Sequence, residues 1–300
     1  MICGIIDIGS NSVLLVVGDQ GKIILDLDSV TRLGEGLNSS KELKPEAIKR
    51  TVTTVCKFKR IAEKYGAQKV LAVGTMALRM AENSKEFENS LLKECDLRVR
   101  ILTGDEEARL SFRGAVESLD LAGKIATSDI GGRSTEIAIG EDGNAEFVKS
   151  LDIGALTLME KFNIGTDPIP PDTLLEMIDF AGDKISEVLG KVQADHLVGI
   201  GGTITNLAAI KLKLESYDPD KVHGLKLSYG EISEIIYSLA SLPLEDRKNT
   251  SGLQPERADT IIPGTAIVLG IMKTLEFNEI TVSDRALRHA LLADCTRGML

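Results

Sequence analysis

Short apolar runs alternate with amphipathic stretches along the first part of the chain. The opening stretch has strand-like runs at Ile5–Ile8 and Val13–Val17 around a polar turn, Gly9–Ser12. This pattern predicts a buried hairpin. Between Pro45 and Tyr65 apolar residues recur at helical spacing, and Gly66 follows as a helix-ending residue, so this stretch predicts an amphipathic helix.

The next segments alternate strand and helix, which indicates an α/β domain. The predicted elements are strands at 70–73 and 97–102 and helices at 76–83 and 106–118. After Lys124 the opening pattern begins again. Asp129–Thr135, like Asp7–Ser12, has an Asp at the end of a strand and then a glycine-bearing turn. The repetition implies an internally duplicated domain.

Downstream the pattern predicts further helices and two buried strands. The helices are 171–189, 203–212, 230–240, 257–276 and 284–300, and the strands are 197–200 and 279–282. Without a linker rich in Ser, Pro or Gly, we expect two lobes joined by a short hinge. The expected boundaries are 1–120 and 121–300, with the alternative that the last helix packs on the first lobe.

Composition narrows the function classes. A chain of 300 residues with 43% hydrophobic and 27% charged residues suits a globular enzyme of two domains. The net charge of −10 disfavours broad binding to nucleic acid or to membrane surfaces. A polyanionic substrate would need a local basic path, for which Lys57–Arg60 and Arg98–Arg100 are candidates.

Cysteine and histidine usage points to carboxylate chemistry in the cytoplasm. The apolar N-terminus contains Asp7 and lacks a basic leader, so we expect neither a signal peptide nor a membrane span. The four cysteines form no C-x-x-C pair, and we expect all four to be reduced thiols. With three histidines, a His-rich metal centre or an H-E-x-x-H hydrolase is excluded.

Three glycine turns follow predicted strands, at Gly9–Ser12, Gly131–Thr135 and Gly199–Thr203. Bare backbone amides and Ser or Thr hydroxyls at such turns suit phosphate. Either of the first two turns alone is more commonly a structural hairpin, and the repetition is what favours phosphate. A Walker loop and a G-x-G-x-x-G fingerprint are missing from the sequence. The duplicated turn resembles the ribonuclease H-like superfold of actin and sugar kinases. The resemblance implies duplicated α/β domains with a central cleft.

An acidic cluster at Thr103–Leu110 can be interpreted as a capped helix, with Thr103 or Asp105 as cap and Glu106 and Glu107 in the first turn. Together with seven other motifs it closely resembles the exopolyphosphatase/guanosine pentaphosphate phosphohydrolase family over nearly the whole chain. The others are Asp7–Ser12, Gly74–Arg79 with Asn83, Asp129–Glu136, Gly154-Ala155, Gly201–Thr203, Val222–Gly224, and Glu256–Asp259 with Pro263-Gly264.

The resemblance implies hydrolysis of a terminal phosphoanhydride. It places the catalytic base at Glu107, with Glu106 as the alternative, and a phosphate-facing arginine at Arg79. It implies Mg²⁺ held by Asp129 and Glu136, with Asp7 nearby through water. It also implies phosphate-binding residues in the three turns: Gly9, Ser10, Asn11, Ser12, Gly131, Gly132, Arg133, Ser134, Thr135, Gly201, Gly202 and Thr203. Longer family members add C-terminal helical domains, and here we expect only the two core lobes.

Arg133 departs from the family pattern, which has a glycine at this place. The side chain could clamp phosphate, or it could turn outward. The sequence does not choose between polyphosphate and guanosine pentaphosphate as substrate. A small-molecule kinase of the same superfold and a sensor of guanosine tetra- or pentaphosphate remain alternatives, and a homodimer is the default assembly. His223 is expected to satisfy a loop hydrogen bond.

Overall fold

A computed structural model describes residues 1–19, 22–189 and 193–300 of the chain. The chain forms two compact units. Unit 1 contains Met1–Gly114 together with Leu287–Leu300, and unit 2 contains Ala115–Ala286. The division therefore falls six residues before the expected boundary at 120, and the last helix belongs to unit 1, as in the alternative interpretation.

Unit 1 is built on a five-stranded mixed sheet in the order β3-β2-β1-β4-β5. The first three strands are antiparallel neighbours, and β1, β4 and β5 are parallel. Its strands are β1 (Cys3–Ile8), β2 (Ser12–Asp19), β3 (Lys22–Val30), β4 (Lys69–Gly74) and β5 (Val99–Ile101). Its helices are α1 (Leu37–Ser40), α2 (Pro45–Lys64), α3 (Met76–Met80), α4 (Ser84–Cys95), α5 (Gly104–Val116) and the final α13 (Leu287–Thr296).

Alternation along β1 divides the core of unit 1 between the two faces of the sheet. Ile6 and Ile8 pack in one apolar cluster with residues of α2. Cys3 and Ile5 pack in a second cluster with residues of α13. Because successive side chains of a strand point to opposite faces, this register covers both faces with helices. Unit 1 is therefore a three-layer α/β/α domain.

The C-terminal helix is fastened to unit 1 by polar contacts as well. Arg288 donates to the Asp26 carboxylate of β3 through Nε at 3.0 Å and Nη2 at 2.9 Å, and His289 Nε2 lies 2.9 Å from the same group. Burial alone would raise the pKa of Asp26, but Arg288 and His289 outweigh that effect and hold the pKa below its ordinary value. Asp26 is therefore an anion that ties α13 to β3.

The expectation of four reduced thiols is wrong for Cys3 and Cys295, which form a disulfide between β1 and α13. These residues are 292 positions apart in the sequence, and they meet because α13 returns to pack on the first strand. Spacing along the chain gave no indication of this proximity. Cys56 and Cys95 are free thiols.

The predicted helix 76–83 is shorter than expected, and the helix that follows it was missed. Helix α3 ends at Met80, because Ala81 is extended, with a ψ of 126°. The Asn83 side chain instead bridges to the main chain of Leu43, accepting from its N–H at 2.8 Å and donating to its carbonyl at 3.1 Å. Helix α4 begins directly afterwards.

Unit 2 contains a six-stranded sheet in the order β10-β11-β9-β6-β7-β8. Its strands are β6 (Ile125–Ile130), β7 (Thr135–Glu141), β8 (Asn144–Leu151), β9 (His196–Ile200), β10 (Lys226–Ser228) and β11 (Glu279–Ser283). Its helices are α6 (Ala155–Lys161), α7 (Pro171–Leu189), α8 (Gly202–Lys211), α9 (Pro219–Val222), α10 (Tyr229–Ala240), α11 (Leu244–Arg247) and α12 (Ile261–Thr274).

The two units share one topology. In unit 2 the order β8-β7-β6-β9-β11 repeats β3-β2-β1-β4-β5 with the same pairing directions. The predicted duplication of ribonuclease H-like domains is therefore confirmed. The predicted helix 257–276 begins only at Ile261, after a short 3₁₀ turn at Pro255–Arg257. Among the described residues, no helix is both long and apolar enough to cross a membrane.

Candidate functional site

In unit 1 the predicted site residues follow the carboxyl ends of three neighbouring parallel strands. The turn Gly9–Ser12 follows β1, Thr75 and α3 follow β4, and Thr103 and α5 follow β5. Main-chain bonds join these ends, from Thr75 N–H to the Ile8 carbonyl at 3.2 Å and from Leu102 N–H to the Gly74 carbonyl at 2.9 Å. This edge is where open α/β sheets bind ligands.

The carbonyl groups of the first turn, Gly9–Ser12, accept hydrogen bonds from neighbouring main-chain N–H groups. The Gly9 N–H donates to the Ser12 carbonyl at 2.9 Å. The Ser10 carbonyl accepts from Gly34 N–H at 2.8 Å, and the Asn11 carbonyl accepts from the N–H groups of residues 31 and 32 at 2.9 and 2.8 Å. In a trans peptide the N–H points opposite to the carbonyl. The N–H groups of Asn11 and Ser12 therefore face away from the segment 31–34.

The second turn repeats this geometry in unit 2. The Gly131 N–H donates to the Ser134 carbonyl at 2.9 Å, matching the first turn. The carbonyls of Gly131 and Gly132 accept from the first amides of α6, Ala155 N–H at 3.0 Å and Leu156 N–H at 2.7 Å. By the same rule, the N–H groups of Gly132 and Arg133 face away from α6.

The close approach of α6 to this turn requires Gly154. A Cβ at Gly154 would lie 2.6 Å from the backbone nitrogen of Arg133 and 2.7 Å from the Gly131 carbonyl oxygen. Any side chain here would push the turn away from the helix. Gly154-Ala155 was among the motifs of the sequence, and its physical role is to let α6 support the second turn.

The structure buries the Arg133 side chain within unit 2. Its side chain is 1% exposed and its guanidinium makes a two-pronged ion pair with Glu160, with Nη1 and Nη2 lying 2.7 and 2.6 Å from the carboxylate oxygens. The side chain does not turn outward, and Glu160 occupies the guanidinium. The backbone N–H of Arg133, in contrast, faces away from α6.

Two of the predicted phosphate-binding threonines are packed into unit 2. Thr135 is fully buried, and its hydroxyl donates to the Ile153 carbonyl at 2.6 Å. Thr203 packs on α12, since a Cβ at Gly264 would lie 2.4 Å from its hydroxyl oxygen. The Thr135 hydroxyl is thus committed to the main chain, whereas the packing of Thr203 leaves its predicted role in phosphate binding untested. Ser10 and Ser134 are also buried, with 7% and 3% of their surfaces exposed.

The third turn lies beside the carboxylate of Asp129. Strand β6 pairs with β9 so that Asp129 stands opposite Ile200. Gly201 has a φ of +86°, and a Cβ on it would lie 2.8 Å from Asp129 Oδ1. Only glycine accommodates both the left-handed backbone and the approach of the carboxylate.

An arginine that the sequence analysis left without a role covers the same turn. A Cβ on Gly202 would overlap Arg257 Nη1. Gln254 accepts from Arg257 Nε at 2.6 Å and exchanges hydrogen bonds with Asn206 of α8. Arg257 lies in the motif Glu256–Asp259, which was noted in the sequence, but nothing in the sequence indicated that this loop reaches the glycine turn.

Two carboxylates stand opposite each other on β6 and β7. Asp129 and Glu136 are direct cross-strand neighbours, so their side chains share one face of the sheet. Glu136 is almost fully buried and accepts from the Ser150 hydroxyl at 2.7 Å. In the corresponding hairpin of unit 1, Asp7 stands opposite Leu14. The second hairpin therefore has an additional carboxylate.

The carboxylate pair fits a magnesium ion that completes its shell from other sources. Mg²⁺ usually binds one or two carboxylates and keeps several waters or substrate phosphates. In the described part of the chain, no group of three or more His, Cys, Asp and Glu side chains is gathered for a metal. If an Mg²⁺ ion binds here, Asp129 and Glu136 would hold it, and water and phosphate oxygens would complete its shell.

The two glutamates of α5 have different environments. Glu106 accepts from the Thr103 N–H at 2.9 Å while its own N–H donates to the Thr103 hydroxyl at 3.2 Å, which completes a capping box. The Thr103 N–H is the main cause that lowers the pKa of Glu106, and Arg100 adds to it. The predicted cap at Thr103 is confirmed, and Glu106 maintains the helix end.

Glu107 is positioned by Arg79. The Arg79 Nη1 group donates to Glu107 Oε2 at 3.1 Å and to the Leu102 carbonyl at 2.8 Å. The Glu107 side chain is 12% exposed. Arg79 therefore orients the carboxylate that the sequence analysis assigned as the base.

His223 and the basic stretches make local contacts. His223 Nδ1 accepts from Asp284 N–H at 3.2 Å, and its Nε2 lies 3.3 Å from the Ser118 carbonyl, as expected for a loop histidine. Lys59 donates to the Cys95 carbonyl, and Arg100 pairs with Glu106. These two cations are thus engaged within unit 1.

Comparison with known protein families matches residues 12–297 to the Ppx/GppA phosphatase family. The chain belongs to this family. Two relatives are 30% identical: exopolyphosphatase 2 of Mycobacterium tuberculosis, with 93% of each chain covered, and a bifunctional 3-dehydroquinate synthase/phosphatase of Fusobacterium nucleatum. This chain covers 44% of the length of the Fusobacterium protein.

A solved Ppx/GppA structure from Aquifex aeolicus is also similar. It is 33% identical, covers 99% of this chain and 98% of its own, and superimposes with a TM-score of 0.84. As a Ppx/GppA phosphatase, the chain is a phosphohydrolase. The resemblance stated from the sequence is confirmed.

Proposed function

We propose that this phosphatase removes the terminal phosphate of inorganic polyphosphate, of guanosine pentaphosphate or of both. Water is the acceptor, Glu107 is the general base, and Mg²⁺ assists. Both substrates end in a phosphoanhydride, whose hydrolysis depends mainly on positioning and on charge neutralisation.

The observation that carries the proposal is the repeated turn. In both units a glycine turn after the first strand is hydrogen-bonded through its carbonyls, which directs successive N–H groups to the other side. Successive amides of this kind make a concave site for an anion. Arg257, over the Gly201–Thr203 turn, is a further candidate for phosphate.

The roles of the carboxylates follow from their surroundings. Glu106 is committed to the capping box, whereas Glu107 is held by an arginine at the carboxyl edge of the sheet. A base must be oriented to remove a proton from the attacking water. Asp129 and Glu136 would hold Mg²⁺, which would neutralise charge on the phosphate oxygens.

Two rival functions are alternatives to hydrolysis. A small-molecule kinase would transfer phosphate to a hydroxyl and release little orthophosphate. A sensor would bind guanosine tetra- or pentaphosphate without turnover. The cytoplasmic compartment was predicted from reduced thiols, and the Cys3–Cys295 disulfide contradicts that premise for two of the four cysteines. The compartment and a homodimeric assembly both remain predictions.

The test is phosphate release from the purified chain with polyphosphate and with guanosine pentaphosphate, each with Mg²⁺ and with EDTA. We expect release from at least one substrate in Mg²⁺ only. Binding without release from either substrate would favour the sensor.

A further inference from the structure

We propose that Arg133 and Glu160 form a brace that fixes the second phosphate turn onto α6, so that Arg133 acts as a positioning residue through its backbone. This inference rests on the proposed function only in that the turn binds the phosphate of the substrate. The brace itself is a property of unit 2.

The turn and α6 are joined at both ends of the helix. At its start, the N–H groups of Ala155 and Leu156 hold the carbonyls of Gly131 and Gly132 at 3.0 and 2.7 Å. Near its end, Glu160 receives both Nη groups of Arg133 at 2.7 and 2.6 Å. One short helix therefore holds the turn by main chain and by side chain.

The side-chain contact controls the orientation of one peptide. The peptide between Gly132 and Arg133 directs its carbonyl to Leu156 and its N–H to the opposite side. Arg133 is attached to that same peptide, and its side chain is 1% exposed. A planar guanidinium held by two parallel hydrogen bonds has little freedom to rotate. Anchoring the side chain thus restrains the N–H that is offered to phosphate.

A glycine at this position, as in the family pattern, would leave the turn held by α6 only through main-chain bonds. Since glycine adds backbone freedom, the braced turn is the more preorganised one. Preorganised donors cost no rearrangement during reaction. The expected benefit of the brace is therefore a productive placement of phosphate.

The experiment makes two comparisons. Glu160→Gln and Arg133→Lys are each compared with the wild type. The double variant that carries both Arg133→Gly and Glu160→Gln is compared with the single variant Arg133→Gly. Glu187→Gln is the matched control, because Glu187 makes an exposed ion pair with Lys184 in the same unit. Three properties are measured: hydrogen exchange of peptides covering residues 129–136, kcat and KM well below Tm, and Tm itself.

We expect faster exchange in the turn for Glu160→Gln and Arg133→Lys, and a loss of about tenfold or more in kcat/KM, since a displacement of 1 Å can cost ~10²-fold. The double variant should match Arg133→Gly, because the two side chains act as one unit. Glu187→Gln should change neither exchange in the turn nor kinetics.

Two results would overturn the proposal. If only Tm falls while exchange and kinetics stay at wild-type values, the pair only stabilises unit 2. If kinetics change without any change in exchange, the guanidinium acts directly and not through the turn. Failure of the proposed function can be told apart from failure of the brace. If the wild type proved inactive, hydrogen exchange in the turn could still be compared between the wild type and the variants.

Discussion

Replacing Glu107 with Gln removes the proposed base while preserving the shape of the side chain. The amide oxygen can still accept from Arg79, which lies 3.1 Å from the carboxylate. Exchanging a charged for a neutral hydrogen bond should cost about 1 kcal/mol of folding free energy. Loss of a general base should lower kcat by about 10²–10⁴-fold, equivalent to ~2.7–5.4 kcal/mol of activation free energy. The kinetic effect therefore exceeds what unfolding could produce.

Glu106→Gln provides the matched comparison one residue away. Its carboxylate serves the capping box and pairs with Arg100, and the side chain is 41% exposed. We expect a stability loss of about 0.5–1 kcal/mol and a kcat near that of the wild type.

The assay combines kcat and KM from phosphate release with thermal melts of both variants. For Glu107→Gln we expect substrate binding to be retained, since the lost interaction matters in the transition state. A wild-type kcat in Glu107→Gln, or equal kinetic losses in both variants, would refute the reasoning.

The other predictions follow from the site and from unit 1. Activity should vanish in EDTA and return with Mg²⁺. Asp129→Asn should raise the Mg²⁺ concentration needed for half-maximal rate, because one of the two opposed carboxylates is lost. An unchanged Mg²⁺ titration would contradict the role of Asp129 in holding the metal. Because the pKa of Asp26 is lowered in the fold, its stabilisation is fully present above the ordinary carboxyl pKa and is lost as pH falls from that value through the lowered pKa of the folded state. The melting temperature should therefore drop in acid. Asp26→Asn should lower the melting temperature at neutral pH, because Arg288 loses its partner, and should make the loss in acid smaller. Burial, reinforced by a hydrogen bond to Cys56, raises the pKa of Cys95 to about 12. Iodoacetamide at pH 8 should therefore label Cys95 slowly in the native protein and quickly after unfolding. Mass spectrometry without reduction should find Cys3 joined to Cys295.

Local patterns predicted most of the fold. The strand–turn–strand repeat after Asp7 and Asp129 reflects a real duplication, and α2 and α7 match their predicted ranges to within a residue. Helix α4 was missed, because the break at Ala81 depends on Asn83 reaching Leu43, which lies 40 residues earlier. Such a contact has no local signature.

The positions of the three turns could be predicted from the sequence, but the contacts of the side chains around them could not. Strand ends and glycines located the three turns, because those positions follow from register and from backbone space. The partner of Arg133 lies 27 residues away on α6, and Arg257 reaches Gly202 from a distant loop. The orientation of these guanidinium groups is decided by tertiary packing, which periodicity does not report.

The central claim is that water attacks the terminal phosphorus of a phosphoanhydride. Hydrolysis of polyphosphate or guanosine pentaphosphate in ¹⁸O-labelled water, with mass analysis of both products, tests it most directly. We expect one solvent oxygen in the released orthophosphate and none in the shortened product. Label in the shortened product, or no orthophosphate from either substrate, would contradict the account.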